Sequence, residues 1–211
     1  MKQKTLLIEL HYLPSIQYFV YINYFKNIFI DPTDIYLKQT YRNRCRINGA
    51  NKIEDLTIPI KKVSSSRKTL HVEIDHQQKW LNKHLRAIQS AYGKAPFYEY
   101  YADDFSSVFI KNANSLFSFN KRLLTKCLDI LELDVTINFS ESIEKMDKNT
   151  LYDGRGEINP KKSNFPNSIF MPEKYFQVFG NNFVQNLSVI DLIFCEGPQA
   201  RHFIQKSCRQ L

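Results

Sequence analysis

Several familiar signatures are missing from these 211 residues. There is no Walker loop, no G-x-G-x-x-G, no G-x-S-x-G and no carboxylate triad at metal-ligand spacing. P-loop hydrolysis, Rossmann dinucleotide binding and the nucleophile-elbow hydrolases therefore lose their usual support. Cysteine is scarce: Cys45, Cys127, Cys195 and Cys208 form no C-x-x-C pair. Free, mostly buried thiols in a reducing compartment are expected, not a disulfide framework. His71, His76 and His202 show no metal spacing with each other or with the cysteines, so no structural zinc is expected. No apolar run approaches the roughly 20 residues of a membrane-spanning helix. The short N-terminal apolar run is broken by Glu9, so it reads as a strand, not a signal sequence. No internal repeat and no low-complexity block occurs. A cytoplasmic protein is the expectation.

What is present is an aromatic, basic chain. Sixteen Phe and twelve Tyr are enough both to fill a core and to line a pocket. Lys and Arg number 29 against 21 Asp and Glu, a net charge of +8. That sign favours anionic partners, or merely solubility. The length suits one domain spanning residues 1–211.

The spacing predicts a buried strand at Thr5–Leu10, a helix from Ser15 to Phe25 with Ser15 as N-cap, and a second strand at Asn27–Ile30. Strand, helix, strand implies a parallel βαβ unit. A middle antiparallel section is expected next, with strands at Ile35–Gln39, around Tyr41–Ile47, at Leu56–Ile60 and at Thr69–Ile74. The period then turns helical over Gln77–Tyr92, with Gly93 as C-cap, and over Asn114–Leu131. Pro96 restarts the chain with a short aromatic helix. Val135–Phe139 alternates as a strand. Residues 147–174 are polar, rich in Asn, Pro, Gly and Lys, and read as a long loop or lid. A helix over Ser188–Phe194 stops at Gly197-Pro198, and Ala200–Leu211 forms a second short helix or a tail. The fold class is thus α/β: a three-layer or Rossmann-like mixed sheet with an N-terminal βαβ, a middle antiparallel section and a helical C-terminal half.

The strongest physical signal is an arginine ladder. If Tyr41–Ile47 is extended, Arg42, Arg44 and Arg46 share one face at roughly 6.6 Å intervals. Such a face attracts phosphate or demands carboxylates between the guanidiniums; a solvated edge strand is the bland alternative. Lys38 and Lys61 extend the patch. His11 and Tyr12 end the first strand where acid–base residues often sit, although a backbone-bonded histidine is the safer default. Asp191, amid Val189, Ile190, Leu192 and Ile193, needs a partner if buried. His84, on an apolar helix face, reads as structural. Cys45, between two arginines, reads as a buried thiol.

Seven segments together resemble the WbqC-like family of bacterial proteins: His11–Phe19, Tyr41–Ile47, Leu56–Lys62, Trp80 with His84, Ser90–Tyr98, Pro172–Phe179 and Asn186–Phe194. They cover most of the chain in the family's order. Many members carry Gln-Pro before the Tyr-Leu-Pro motif, where this chain has Leu10-His11, so a role for His11 rests on this chain alone. The resemblance implies a cytoplasmic protein of O-antigen or other surface-polysaccharide assembly, acting on sugars carried by nucleotide or lipid diphosphate. Within the matching stretches Gln17, Asn43, Tyr41, Tyr92, Lys94, Asn186 and Ser188 join the arginines as candidate substrate contacts, and His11, Tyr12 and Asp191 are the catalytic candidates. The strand–turn–helix opening is also loosely similar to nucleotidylyltransferases, but the turn lacks their glycine and second histidine.

Three readings follow. One is a transferase moving an acyl, aminoacyl or other group to a sugar, with an anionic small-molecule substrate, no cofactor and no metal. The second is a nucleic-acid-binding module, ranked lower because no RNA- or DNA-binding motif is present. The third is a non-catalytic nucleotide-binding module or scaffold of a glycan-assembly complex, in which the arginines pair internally. Oligomeric state is left open.

Overall fold

The protein is described by a computed structural model covering residues 4–111, 113–140, 149–161 and 169–209. It is a mixed α/β fold built on a four-stranded parallel sheet. The strands are β1 (Thr5–Leu7), β2 (Asn27–Ile30), β5 (Thr136–Phe139) and β6 (Leu151–Asp153), in the order β5-β2-β1-β6. β1 is central: Leu6 pairs with Ile28 on one side and Tyr152 on the other. A separate antiparallel hairpin joins β3 (Arg44–Asn48) to β4 (Ile53–Thr57), with Arg46 opposite Asp55.

The N-terminal βαβ unit forms as its pattern dictates. Between β1 and β2 runs α1 (Ile16–Phe25), apolar on most faces and buried along almost its whole length. Ser15 occupies the N-cap position with extended backbone, yet its hydroxyl makes no capping bond. The cap comes from far along the chain: Asn186 Oδ1 accepts the Gln17 N–H at 3.0 Å, and Asn186 Nδ2 returns a bond to Gln17 Oε1. A local reading of Ser15 could not see that Gln17 would find its partner 169 residues further on.

The helices α2 (Trp80–Tyr92), α3 (Tyr98–Ile110), α4 (Leu116–Leu131), α5 (Val189–Glu196) and α6 (Ala200–Lys206) complete the fold. α3 is a full 13-residue helix where only a short one was expected. Its Tyr101, Phe105, Val108 and Phe109 supply a buried stripe at helical spacing. In α4 the expected stripe of Leu116, Phe119, Leu123, Leu124, Cys127, Leu128 and Leu131 is buried except at Leu128, which is half-buried, and Ser115 Oγ caps the Ser118 N–H. Gly93 ends α2 with right-handed backbone, not the left-handed C-cap its type suggested.

The middle section departs most from expectation. Ile35–Gln39 forms no strand; Ile35 makes one isolated bridge, to Lys68. Thr69–His71 is a turn of 3₁₀ helix, and Ile74 only bridges Ile60. β1 ends at Leu7, three residues short of the expected strand, although the Ile8 N–H still donates to the Phe29 carbonyl of β2 at 3.1 Å. The stretch 147–174, read as loop or lid, contributes edge strand β6; its residues 147–148 and 162–168 lie outside the described residues.

Candidate functional site

Parallel strands all finish on one edge of a sheet, and ligands of open α/β sheets bind outside that edge where the strand order reverses. Here β1 connects through α1 to β2 on one flank and has β6 on the other, so the reversal lies between β1 and β6. Beyond these ends the chain places Glu9 and His11 after β1, Asp31 and Asp34 after β2, and Asp153, Arg155 and Gly156 at the end of β6. Arg42 enters from the segment ahead of β3, which is held alongside by the Tyr12 N–H donating to the Tyr41 carbonyl at 2.9 Å.

The centre of this cluster is buried and charged. Glu9 is 4%, His11 0% and Arg42 2% exposed. Arg42 Nη2 donates to Asp34 Oδ2 at 2.6 Å, and Arg42 Nη1 lies 3.5 Å from Glu9 Oε1. His11 Nε2 approaches the same Glu9 oxygen at 3.5 Å, and the Gly156 N–H points at both Glu9 oxygens, 3.1 Å from each. Burial on its own pushes the Glu9 carboxyl up, but His11, Arg42 and the residue's own backbone N–H overcome it and hold it down at about 2. For His11 burial wins, lowering its pKa against the pull of Glu9. A charged His11 would aid Glu9 most, yet burial favours the neutral ring. We assign carboxylate and neutral imidazole, because Arg42 and Gly156 serve the carboxylate whichever form His11 takes.

This buried core is short of partners. Both ring nitrogens of His11, Nε and Nη1 of Arg42 and the hydroxyl of Tyr18 make no close hydrogen bond among the described residues, and for His11 Nε2 and Arg42 Nη1 the nearest charge is Glu9 Oε1 at 3.5 Å. Tyr18 stacks obliquely on His11, ring centres 5.0 Å apart, and Tyr41 lies 5.6 Å away on another side. Buried polar atoms left unpaired are costly and therefore rare, so several in one place mark a ligand or water site. At the mouth Arg155 chelates Asp153 through Nε at 2.9 Å and Nη2 at 2.7 Å, and its Nη1 reaches Asp34 at 3.5 Å.

The sequence candidates divide among several places. His11 and Arg42 meet at Glu9. Arg44 and Arg46 do not join them; both pair with Asp55 on β4, at 3.6 and 3.2 Å, and Arg46 also donates to the Pro160 carbonyl. The ladder is thus interrupted by a carboxylate, and Arg42 lies before β3, turned inward. Tyr12 points away into the aromatic core, its hydroxyl 2.8 Å from His84 Nδ1. Asp191 anchors a second buried cluster: it accepts from Tyr175 at 2.5 Å and Gln177 at 3.2 Å, beside Tyr92. Burial raises its carboxyl to about 6 against the lowering by those hydrogen bonds.

Asn43 Nδ2 bonds the Ile58 carbonyl, Ser188 Oγ bonds the Leu13 carbonyl, and Gln17 with Asn186 forms the α1 cap, all structural uses. Lys38 and Lys94 are exposed, and Lys61 pairs with Glu73 at the surface. An open groove of about 620 Å³ along Lys61, Lys62, Glu73, Asp75 and His76 shares no residue with the Glu9 cluster. Its groups are solvated or already paired, so it is the weaker candidate.

Glu9, Asp34, Arg155 and Tyr18 were not singled out from sequence. One signal was available. Glu9 is a lone carboxylate inside the apolar run Leu6–Leu10, and a charge in a buried segment requires a charged partner.

Comparison with known proteins adds the following. The profile of the WbqC-like protein family matches residues 10–158. An uncharacterised protein of Mycobacterium tuberculosis, Rv1507c, is 23% identical over 149 residues, covering 70% of this chain and 64% of that protein. The chain therefore spans somewhat less than two thirds of that relative's length. No solved structure gives a significant match.

Proposed function

The chain belongs to the WbqC-like protein family, and from that premise we propose that it is a cytoplasmic transferase of bacterial surface-polysaccharide assembly, moving a group on a nucleotide- or diphosphate-linked sugar. The observation that carries this reading is the buried His11–Glu9–Arg42 cluster at the strand-order reversal, with its unpartnered donors and acceptors. His11 is neutral and oriented by a carboxylate, the arrangement of a general base. It takes a proton from the attacking group of the acceptor as that group bonds to the transferred group, and gives the proton to the donor fragment as the donor's bond breaks. Arg42 Nη1 and Nε supply donors for the oxygen on which charge develops. The substrate phosphates contact Arg44 and Arg46, about one-third exposed and sharing a single carboxylate, which leaves them one net positive charge.

A second reading rests on a specific observation. Asp55 neutralises half of the exposed arginine pair, and His11 has no exposed surface. Both suit a non-catalytic nucleotide-binding scaffold of a glycan-assembly complex. Calorimetry with nucleotide sugars separates the readings. The transferase predicts binding to the wild type, about tenfold weaker binding to Arg44→Ala, and near-normal binding but no turnover for His11→Asn. A wild type that binds no nucleotide or nucleotide sugar sinks the transferase. Normal turnover by His11→Asn sinks the role of His11.

A further inference from the structure

The edge of the sheet carries a charge opposite to that of the chain. The molecule is +8 overall. Around the strand ends, however, four carboxylates, Glu9, Asp31, Asp34 and Asp153, face two guanidiniums, Arg42 and Arg155. With His11 neutral the balance there is two negative charges. A bare phosphate has no reason to enter such a mouth.

Arg155 sits in the middle of this excess. It is 33% exposed, it is held by two carboxylates, Asp153 and Asp34, and Asp31 lies close by. Asp34 links Arg155 to buried Arg42, whose Nε and Nη1, like the ring nitrogens of fully buried His11, make no close hydrogen bond among the described residues. The turn that carries Arg155 reaches His11 through Glu9, whose carboxylate takes the Gly156 N–H on one side and lies 3.5 Å from His11 Nε2 on the other. That turn is held to its surroundings by the Gly154 N–H on the Leu7 carbonyl, the Gly156 N–H on Glu9, Arg155 on Asp34 and the Tyr152 hydroxyl on Glu157. It follows a three-residue edge strand, and Gly156 has a positive φ of 72° that only glycine adopts without strain. Of these bonds the Arg155–Asp34 pair is the one that a competing cation can take over.

We propose that Arg155 is a tethered stand-in for a cationic group of the ligand, and that a primary ammonium on the incoming sugar displaces it from Asp34 and Asp153 and loosens the turn that holds Gly156 against Glu9. This rests on the reading of the ligand as a sugar, whose basic substituent is an amine. A divalent cation fits less well, since among the described residues no group of three His, Cys, Asp or Glu side chains is placed to hold a metal ion.

The test pairs glucosamine 1-phosphate with N-acetylglucosamine 1-phosphate, which differ in the positive charge. Binding is measured by calorimetry on the wild type and Arg155→Ala, and Gly156 amide exchange is followed by NMR in the wild type. The expected result has three parts. The amine binds at least about tenfold better than the acetamide. Arg155→Ala binds the amine more tightly still, because the internal competitor is gone. Gly156 exchange accelerates in the wild type when the amine is added. Equal binding of the two sugars, unchanged affinity in Arg155→Ala, or the same effect from magnesium chloride alone overturns the inference while leaving a sugar-binding protein in place. If the wild type binds neither sugar phosphate nor any nucleotide sugar, the transferase reading falls first.

Discussion

Arg42→Met gives the most direct test of the charged cluster. The substitution keeps a long apolar stem and removes the guanidinium. What remains is Glu9, with a side chain 3% exposed, and Asp34, 19% exposed. Glu9 would keep the Gly156 N–H, its own backbone N–H and His11 as support. Breaking a buried ion pair from one side costs about 3–5 kcal/mol, because the surviving charge stays desolvated. For a chain of this size that corresponds to a fall in Tm of about 6–20 °C. Urea denaturation at pH 7 measures it. The wild-type Glu9 carboxyl is held at about 2 against an ordinary 4.5. Its contribution is therefore complete above pH 4.5 and is lost as pH falls toward 2. The gap between wild type and Arg42→Met should narrow over that same interval, since protonating Glu9 removes its need for a cation. Adding Glu9→Gln to Arg42→Met should recover part of the loss at pH 7. A cost below about 1 kcal/mol at pH 7, with a gap that does not change with pH, would refute the arrangement.

Two further outcomes follow from other buried groups. Asp191 is held at about 6 against 3.8, so the folded state binds its proton more tightly and stability falls as pH rises from about 4 to 6, by on the order of 3 kcal/mol; Asp191→Asn should lack that slope in urea titrations, and an unchanged slope would place its origin elsewhere. Cys45, Cys127 and Cys195 are buried and burial raises their thiols, whereas Cys208 is only partly covered. Native protein should accordingly react with one equivalent of a thiol reagent, at Cys208 by mass spectrometry, and fast labelling of Cys45 would contradict its burial.

How far the fold can be read from the residues depends on how local its causes are. α1, β2, α4 and the Gly197-Pro198 stop follow from apolar period and from the conformations of Gly and Pro, which act within a few residues. Ile35–Gln39 had an alternating look but found no neighbouring strand to pair with, so β propensity alone could not make it one. β6 shows the converse. Leu151–Asp153 is short and sits in a polar, glycine-bearing stretch, and becomes a strand only because the edge of β1 is open to it. Its register, Thr5 with Leu151, is a tertiary fact with no local signature.

The site was half legible for the same reason. Three arginines at alternate positions suggested one phosphate face, but spacing along a strand fixes only which residues share a side, not where the strand ends. β3 begins at Arg44, and Arg42, two residues earlier, has already turned into the molecule to meet Asp34 and Glu9. Net charge misled in a related way. A total of +8 says nothing about its distribution, and the strand ends concentrate carboxylates where the sum predicts cations. The chemically telling residue was the isolated one: Glu9 amid Leu6, Leu7, Ile8 and Leu10. A carboxylate there cannot be left unpaired, so its presence required an arginine or histidine from elsewhere in the chain, and the fold supplies both. A lone charge in an apolar run is thus a better pointer to this site than the three-arginine cluster. It is costly wherever it goes, whereas surface arginines are cheap.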